Sequence, residues 1–291
     1  MAGLSILDLP FPPDQWRVDQ HSAGFESPEK AAREDADRSG MLRKRATKLT
    51  GKRRARTLAL ADLLDPKVTP EIPNTPASAR YIRHQRIRII SWVWKAVAED
   101  PTGEVARFDV IKPAWAVDRR GLRKTRSKQL CREFRADLNR AALKVKPGGA
   151  AKCDGFLIAF IHGEHEIRSK LFQPHWHLVA TGDWVAVVKR LKEMKAYDPT
   201  TRVNLPIRQT KKLHNLAYAM TYLLKIYWSG TWRGKVSGQK NPRRRRKPVR
   251  IKEPFHTDVL LWLHRQSLKD IIVMMKVRAG VEGLIVKSVY E

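Results

Sequence analysis

Two apolar segments separated by a short polar stretch constrain the fold more than any other feature of this sequence. Gly155 to His162 (GFLIAFIH) has the pattern of a buried strand, and His175 to Ala180 (HWHLVA) has that of a second strand. Aromatic and β-branched residues are enriched in both, and the residues between them are polar. We predict that the two strands pair as an antiparallel hairpin at the centre of a sheet.

The remaining periodic segments place helices and strands around this hairpin. A strand, the hairpin and a further short strand alternate with helices along the chain, which predicts an α+β fold with helices packed on a central antiparallel sheet. The segment from Tyr81 to Val97 is compatible with either helix or strand. The other predicted elements are strands at Val105–Val117 and Arg202–Arg208, and helices at Ser127–Val145, Asp183–Lys195 and Leu213–Trp228.

The composition changes along the chain and predicts four regions. The first forty residues are rich in Pro, Gly, Ser and acids, and residues 1–78 are expected to be mostly disordered, with a basic arm at 41–58. Residues 79–230 are expected to form the folded domain. Residues 231–254 form a basic loop, and residues 255–291 are expected to be a helical C-terminal extension, with helices at Thr257–Gln266 and Leu268–Arg278.

The charge balance points to a polyanionic partner. Lys and Arg number 58 against 29 Asp and Glu, a formal net charge of +29, and nucleic acid is the commonest polyanion that would offset it. A membrane surface would need an amphipathic basic helix or a lipidation signal, and neither is visible. No signal peptide or long apolar run is present either, so we expect a protein that works inside a cell. Cys131 and Cys153 are too few for a disulfide framework or a cysteine zinc site.

The second strand carries a histidine pair with the spacing of a metal site. Side chains two apart in a strand share a face, so His175 and His177 present two imidazoles side by side. Glu164 and Glu166 follow the first strand, where the hairpin would bring a carboxylate to the histidines. The two glutamates are two residues apart and would point to the same face of the strand, so alternation does not choose between them. Glu166 is preferred because it needs the tighter hairpin. Two imidazoles, one carboxylate and open positions suit Mg²⁺ or Mn²⁺.

Two other histidines near the hairpin are rival ligands. His162 and His165 lie close to the predicted turn. We expect them to be turn and surface residues rather than members of the metal site.

A tyrosine pair on the last strongly apolar helix supplies a candidate nucleophile. Residues three and four apart share a helix face, so Tyr218, Tyr222 and Lys225 form one stripe. Such a stripe is most often part of a core. A phenol can also attack phosphorus if its phenolate is favoured by a metal or a cation such as Lys225.

Taken together, FQPHWHLVATG and LAYAMTYLLK resemble the motifs of the His-hydrophobic-His (HUH) endonucleases that initiate rolling-circle replication, in their two-tyrosine branch. The resemblance implies that His175, His177 and Glu166 or Glu164 hold the metal. It also implies that Tyr218 and Tyr222 attack a DNA phosphodiester in turn. Each would form a 5′-phosphotyrosine link and release a 3′-hydroxyl, with Lys225 at the family's lysine position.

The same resemblance implies the partners of the protein. The substrate would be single-stranded DNA at a replication origin, in the cytoplasm of a prokaryotic host. A separate host helicase is expected because the chain has no phosphate-binding Gly-x-x-x-x-Gly-Lys-Ser/Thr loop. No membrane and no small-molecule substrate are expected. The basic residues predicted to bind DNA phosphates are Arg243, Arg244, Arg245, Arg246 and Lys247.

Three alternatives stay open at this point. A two-tyrosine transposase would use the same chemistry, although such enzymes often carry a cysteine-rich zinc module that this chain cannot form. A non-enzymatic nucleic-acid-binding protein would use the basic segments alone. A metal hydrolase that cuts with water would not need the tyrosines.

Overall fold

The chain folds around one mixed β-sheet covered by helices, which confirms the predicted α+β class. The computed structural model describes residues 4–201, 203–210, 213–225, 228–231 and 249–287. Seven strands form the main sheet in the order β4-β1-β3-β2-β5-β6, with β7 also paired to β2, and β8 and β9 form a separate hairpin. The strands are β1 (Val105–Val110), β2 (Leu157–Glu166), β3 (Leu171–Thr181), β4 (Ile207–Thr210), β5 (Ser229–Thr231), β6 (Val249–Arg250), β7 (Ile272–Met275), β8 (Val277–Gly280) and β9 (Gly283–Val286).

Ten α-helices are found in the part of the chain that the structure describes. The aromatic ring of Phe134, in the long helix α7, stacks on Trp176 of β3 with ring centroids 4.8 Å apart, so α7 covers one face of the sheet. None of these helices is long and apolar enough to cross a membrane. Their bounds are α1 (Val18–His21), α2 (Pro28–Ala46), α3 (Gly51–Leu64), α4 (Ala79–Gln85), α5 (Ser91–Ala98), α6 (Arg119–Lys124), α7 (Ser127–Leu143), α8 (Asp183–Arg190), α9 (Leu216–Thr221) and α10 (Phe255–His264).

The predicted hairpin is present, and it is the longest antiparallel pair of the sheet. Strands β2 and β3 pair from Leu157 opposite Ala180 to Glu166 opposite Leu171, which brings His162 directly opposite His175. The strands extend further toward the turn than the apolar pattern predicted. Side chains therefore continue to alternate between the two faces of the sheet beyond His162.

The C-terminal residues contribute to the main sheet, contrary to the prediction of a helical extension. Strand β7 pairs antiparallel with Leu157–Phe160 at one end of β2, and β5 pairs parallel with the other end. Helix α10 matches the first predicted helix. The second, Leu268–Arg278, is instead a short helical turn followed by β7 and the start of β8. β-Branched Ile272 and Val273 favour a strand there, and both are buried.

The N-terminal region is helical and packed on the core, so the prediction that residues 1–78 are mostly disordered was wrong. Leu9, Val18 and Leu42 are fully buried, and the predicted basic arm forms the end of α2 and most of α3. The acidic composition indicated disorder, but Asp35 of α2 is buried and binds the start of α4. Its carboxylate accepts hydrogen bonds from the Ser78 hydroxyl and the Ala79 amide, each at 2.6 Å, at the start of α4.

The ambiguous segment from Tyr81 to Val97 is helical. Helices α4 and α5 are joined without a break by a wider helical turn at Arg86–Ile90, in which hydrogen bonds span five residues. Such turns often mark functional positions because they displace side chains from regular helical spacing. This one carries Arg86, which is buried and contacts the region of α9.

Four predicted elements are shorter than or displaced from the sequence pattern. The first strand ends at Val110, ahead of Pro113, because proline cannot continue a ladder. The strand predicted at Arg202–Arg208 lies at β4. The helix that begins at Asp183 is regular only to Arg190. The Leu213–Trp228 helix is reduced to α9.

Candidate metal centre

Three histidines bring ring nitrogens together on the face of the sheet opposite Trp176. Nε2 of His175 lies 3.2 Å from Nδ1 of His162 and 3.1 Å from Nε2 of His177. All three side chains are buried. The register places them together, because His162 and His175 are paired across β2 and β3 and His177 follows two residues later on the same face.

Hydrogen bonds made by the Nδ1 atoms of two rings determine which nitrogens face the centre of the histidine cluster. Nδ1 of His175 lies 3.1 Å from the carbonyl oxygen of Gln173, and Nδ1 of His177 lies 2.8 Å from that of Tyr222. A carbonyl can only accept a hydrogen bond, so both Nδ1 atoms carry protons and donate. In the neutral rings, both Nε2 atoms then present lone pairs to each other at 3.1 Å. Facing lone pairs repel each other, and a proton or a metal cation between them relieves the repulsion.

The spacing of the three rings suits a bound metal ion. Ligands held about 2.1 Å from an ion at right angles to one another would lie about 3 Å apart, close to the separations seen here. Burial lowers the pKa of His175, and burial followed by the neighbouring His175 lowers the pKa of His177, which keeps both rings neutral as ligands must be. The His162–His175–His177 cluster could therefore hold a metal ion.

The third member of this cluster is His162, and the structure does not bring Glu166 to it. Glu166 lies at the end of β2, where its carboxylate accepts hydrogen bonds from the amides of Arg168 and Ser169 in the hairpin turn. Glu164 lies nearer the cluster, where its negative charge opposes the lowering of the His175 pKa. His162 shares strand parity with both glutamates, and this parity was the sequence signal for its role.

His165 and His162 are strand residues, not the turn and surface residues that were expected. His165 is buried on the opposite face of β2, where its ring stacks on Phe255 with centroids 4.2 Å apart. It is therefore separated from the cluster by the sheet itself.

Asp109 is a carboxylate near the centre that sequence reasoning missed. It lies on β1 directly opposite His177, and its Oδ1 is 3.6 Å from Nε2 of His177. Arg208 of β4 holds the other carboxylate oxygen at 3.0 Å. The available signal was that Asp109 is the only acid in the predicted strand Val105–Val117.

The two tyrosines of the predicted stripe are in contact. Asn215 caps α9 by accepting a hydrogen bond from the Tyr218 amide at 2.9 Å, and the Tyr218 and Tyr222 hydroxyls are 2.6 Å apart. Tyr218 is 43% exposed, so a large substrate can reach it. The hydrogen bond to Tyr218, with burial, raises the pKa of Tyr222. One hydrogen bond thus links the two adjacent phenols, and either hydroxyl can donate it.

Side chains from elsewhere bind the last carbonyls of α9 and end this helix early. His177 donates to the Tyr222 carbonyl, and Arg86 donates to the Thr221 carbonyl at 2.9 Å. Arg86 also pairs with Glu26 and lies over the ring of Phe25. These donors take the place of the amides of a further helical turn at the last carbonyls, which is consistent with the short helix.

Two cations flank Tyr222. The Arg107 guanidinium lies 5.2 Å and the Lys225 ammonium 5.4 Å from the centre of its ring. Although the Lys225 side chain is exposed, protein atoms crowd its ammonium group, and this desolvation lowers its pKa against the opposing effect of Asp109 and Glu164. Tyr218, Tyr222 and Lys225 therefore lie together, as the stripe predicted.

The predicted phosphate-binding residues Arg243 to Arg246 and Lys247 lie outside the described residues. Comparison of the chain with protein-family models, with curated proteins and with solved structures gives no match. The chemistry of the site thus rests on its own residues.

Proposed function

We propose that this protein is a metal-dependent endonuclease that nicks and rejoins single-stranded DNA through a tyrosine nucleophile, and that it initiates rolling-circle replication at an origin. One observation carries the proposal: the imidazole of His177, a member of the histidine cluster, is hydrogen-bonded to the backbone of Tyr222 at 2.8 Å. A candidate nucleophile is thereby fixed to the candidate metal centre. In-line attack on phosphorus requires such fixed placement of nucleophile and electrophile.

The residues support a two-step transfer that conserves phosphodiester bonds. A tyrosine oxygen attacks phosphorus, the bond from phosphorus to the 3′ oxygen breaks, and the 3′ oxygen takes up a proton. The attacking phenol gives its proton to water, and the 3′ oxygen takes a proton from water. The hydroxyl of the other tyrosine, 2.6 Å away, donates a hydrogen bond to the attacking oxygen. The product is a 5′-phosphotyrosine and a free 3′-hydroxyl. A later 3′-hydroxyl can reverse the step without ATP, because the link keeps the energy of the original bond.

The cluster favours manganese over magnesium as the bound ion. A divalent ion held there would polarise a non-bridging phosphate oxygen and offset its developing charge. Imidazole nitrogens suit first-row transition metals, whereas Mg²⁺ prefers oxygen ligands. With His162 as the third ligand, Mn²⁺ fits the site better than Mg²⁺.

Two tyrosines permit two successive transfers, which closing a circle requires. Tyr218 and Tyr222 are proposed to act in turn, with Lys225 and Arg107 offsetting negative charge on the phenolate and the phosphate. Strand separation is assigned to a separate helicase. A two-tyrosine transposase would use the same residues, and the DNA sequence that is cut would separate it from an origin-specific initiator.

The proposal is tested by trapping the covalent adduct. The protein is incubated with pooled single-stranded oligonucleotides and Mn²⁺, and protein–DNA adducts are separated on a denaturing gel. We expect an adduct that EDTA and the Tyr218→Phe/Tyr222→Phe double variant abolish. Tyr81→Phe serves as the matched control, because Tyr81 is buried in α4 outside the cluster.

Each other result identifies a different class of protein. Cleavage without an adduct, unaffected in the double variant, would establish a hydrolase that uses water. Binding without cleavage of any oligonucleotide, including origin-derived ones, would establish a non-enzymatic DNA-binding protein.

A further inference from the structure

A buried carboxylate on α10 gathers three arginines from distant parts of the chain. The side chain of Asp258 is 1% exposed, and its two oxygens lie 2.6 Å from Arg53 of α3 and 2.5 Å from Arg119 of α6. Arg123 approaches at 3.3 Å. Asp258 thus holds guanidinium groups whose own side chains are 33%, 32% and 42% exposed.

The positive charge of this cluster exceeds what one carboxylate can offset. Three guanidinium groups share a single negative charge, and further arginines lie close by. Burial lowers the pKa of Arg265, and the positive charges of Arg56 and Arg123 lower it further. Crowding of this kind costs free energy in the isolated protein, and a bound polyanion would relieve it.

The cluster borders an open cleft with a basic lining. The cleft has a volume of about 510 Å³. Four cations (Arg119, Arg120, Arg123 and Lys170) line it against one acid, Asp118, together with Ser169 and Phe255. Clefts of several hundred cubic ångströms accommodate ligands of nucleotide size.

This cleft is distinct from the histidine cluster. Phe255 stacks on His165, which points away from the face of β2 that carries His162. Lys170 belongs to the turn between β2 and β3, beyond the end of the ladder. A ligand in the cleft therefore contacts the tip of the hairpin and helix α6, not the tyrosine turn, which is the end of α9 and the residues after it (221–225).

We propose that the cleft between α6, α10 and the hairpin turn binds the phosphate backbone of DNA as a second contact site. The choice of DNA as the polyanion rests on the proposed function. Guanidinium forks recognise phosphate by paired hydrogen bonds, and Asp258 fixes the orientation of two of them in advance, which reduces the entropy lost on binding. Contacts of this type position DNA without reading its sequence.

The test removes two cleft cations without leaving the Asp258 carboxylate unpaired. Arg120 is exposed, and Arg123 makes the longest of the three contacts, so Arg120→Ala/Arg123→Ala leaves Arg53 and Arg119 on Asp258. The matched control, Lys189→Ala/Arg190→Ala, removes the same charge from exposed positions on α8. Lys170→Gly is the second test variant, because Lys170 has a φ of 56° that glycine adopts without strain.

Binding of a fluorescent single-stranded oligonucleotide is measured by anisotropy in EDTA, where no cleavage step can contribute. We expect the Arg120/Arg123 double variant to lose about tenfold in affinity. The slope of log affinity against log salt should fall by about 1.4, since each single-strand phosphate contact contributes about 0.7. Lys170→Gly should lose affinity and slope in the same direction, and the α8 control should change by less than about twofold.

Equal losses in the cleft variant and the α8 control, with unchanged salt slopes, would overturn the proposal. The proposal would also fail if the wild-type protein bound inorganic pyrophosphate but the substitutions left oligonucleotide binding unchanged. DNA would then not be the ligand of the cleft. The adduct assay is scored separately. If wild-type protein forms no adduct but the cleft variant still loses binding, the nuclease proposal fails and the DNA-binding cleft stands.

Discussion

His177 donates the proton on its Nδ1 to the backbone carbonyl of Tyr222 across 2.8 Å, so one imidazole contacts both the histidine cluster and the tyrosine turn. The bond directs Nε2 of the same ring toward His175. Any shift of the tyrosine turn therefore moves a candidate metal ligand, and loss of the ligand releases the turn. The two halves of the site depend on each other.

His162, rather than Glu166, should determine metal affinity. His162→Gln removes a ring nitrogen that lies 3.2 Å from His175, and we expect the affinity for Mn²⁺ to fall by about tenfold or more. Glu166→Gln alters a side chain that caps the hairpin turn, and affinity should stay within about twofold. Isothermal titration calorimetry with Mn²⁺ measures both. A larger loss in Glu166→Gln than in His162→Gln would restore the carboxylate as the third ligand.

Arg86 should act as a positioning residue for the tyrosine turn. Arg86→Lys loses the hydrogen bond to the Thr221 carbonyl, and we expect adduct formation at saturating DNA to slow by about tenfold while DNA affinity is retained. The matched variant, Glu26→Gln, weakens the ion pair of Arg86 but leaves that bond in place.

A thermal melt of both Arg86 and Glu26 variants separates stability from positioning. If Glu26→Gln destabilises the protein as much as Arg86→Lys and slows the adduct equally, the role of Arg86 is structural only.

Removal of the buried carboxylate of α2 should destabilise the whole protein. Asp35→Ala leaves Arg80, 10% exposed, without its ion-pair partner and removes the hydrogen bonds at the start of α4. We expect the free energy of unfolding to fall by about 3–5 kcal/mol. Asp37→Ala, which removes a 59% exposed carboxylate of the same helix, should cost about 0.5 kcal/mol or less. Equal denaturation midpoints for the two variants in urea would show that α2 is not part of the cooperative fold.

Acid should weaken the fold through His256 of α10. Burial lowers the pKa of this histidine in the folded protein below its ordinary value of 6.5. The unfolded chain therefore binds a proton below pH 6.5 that the folded chain excludes, so the free energy of unfolding falls as the pH drops through that range.

His256→Gln removes this proton uptake. Between about pH 7 and about pH 5, its free energy of unfolding should decline less steeply than that of the wild type, as measured by urea titration at each pH. Parallel pH profiles for the two proteins would exclude His256 as a source of acid sensitivity.

The sequence was sufficient to predict local features that depend on periodicity. The β2–β3 hairpin, the shared face of His175 and His177, and the stripe of Tyr218 and Tyr222 all follow from fixed spacings of two or four residues. Those spacings are properties of the strand and helix backbones, so they apply wherever such an element forms.

Features that depend on contacts between distant residues could not be predicted in this way. His162 became a cluster member through the pairing register of two strands, which the chain pattern left open. Asp35 resembled part of a disordered segment because Ser78 and Ala79, which donate hydrogen bonds to it, lie more than forty positions away. The early end of α9 depends on Arg86, on another helix.

The pairing of β7 with Leu157–Phe160 has a consequence for the behaviour of shortened chains. A protein ending at residue 231 would leave the amides and carbonyls of this part of β2 as an open sheet edge beside fully buried apolar side chains. Open edges of this kind template strand addition from other molecules. We therefore expect the C-terminal segment to protect the hairpin from aggregation, so that solubility is lost when the segment is removed.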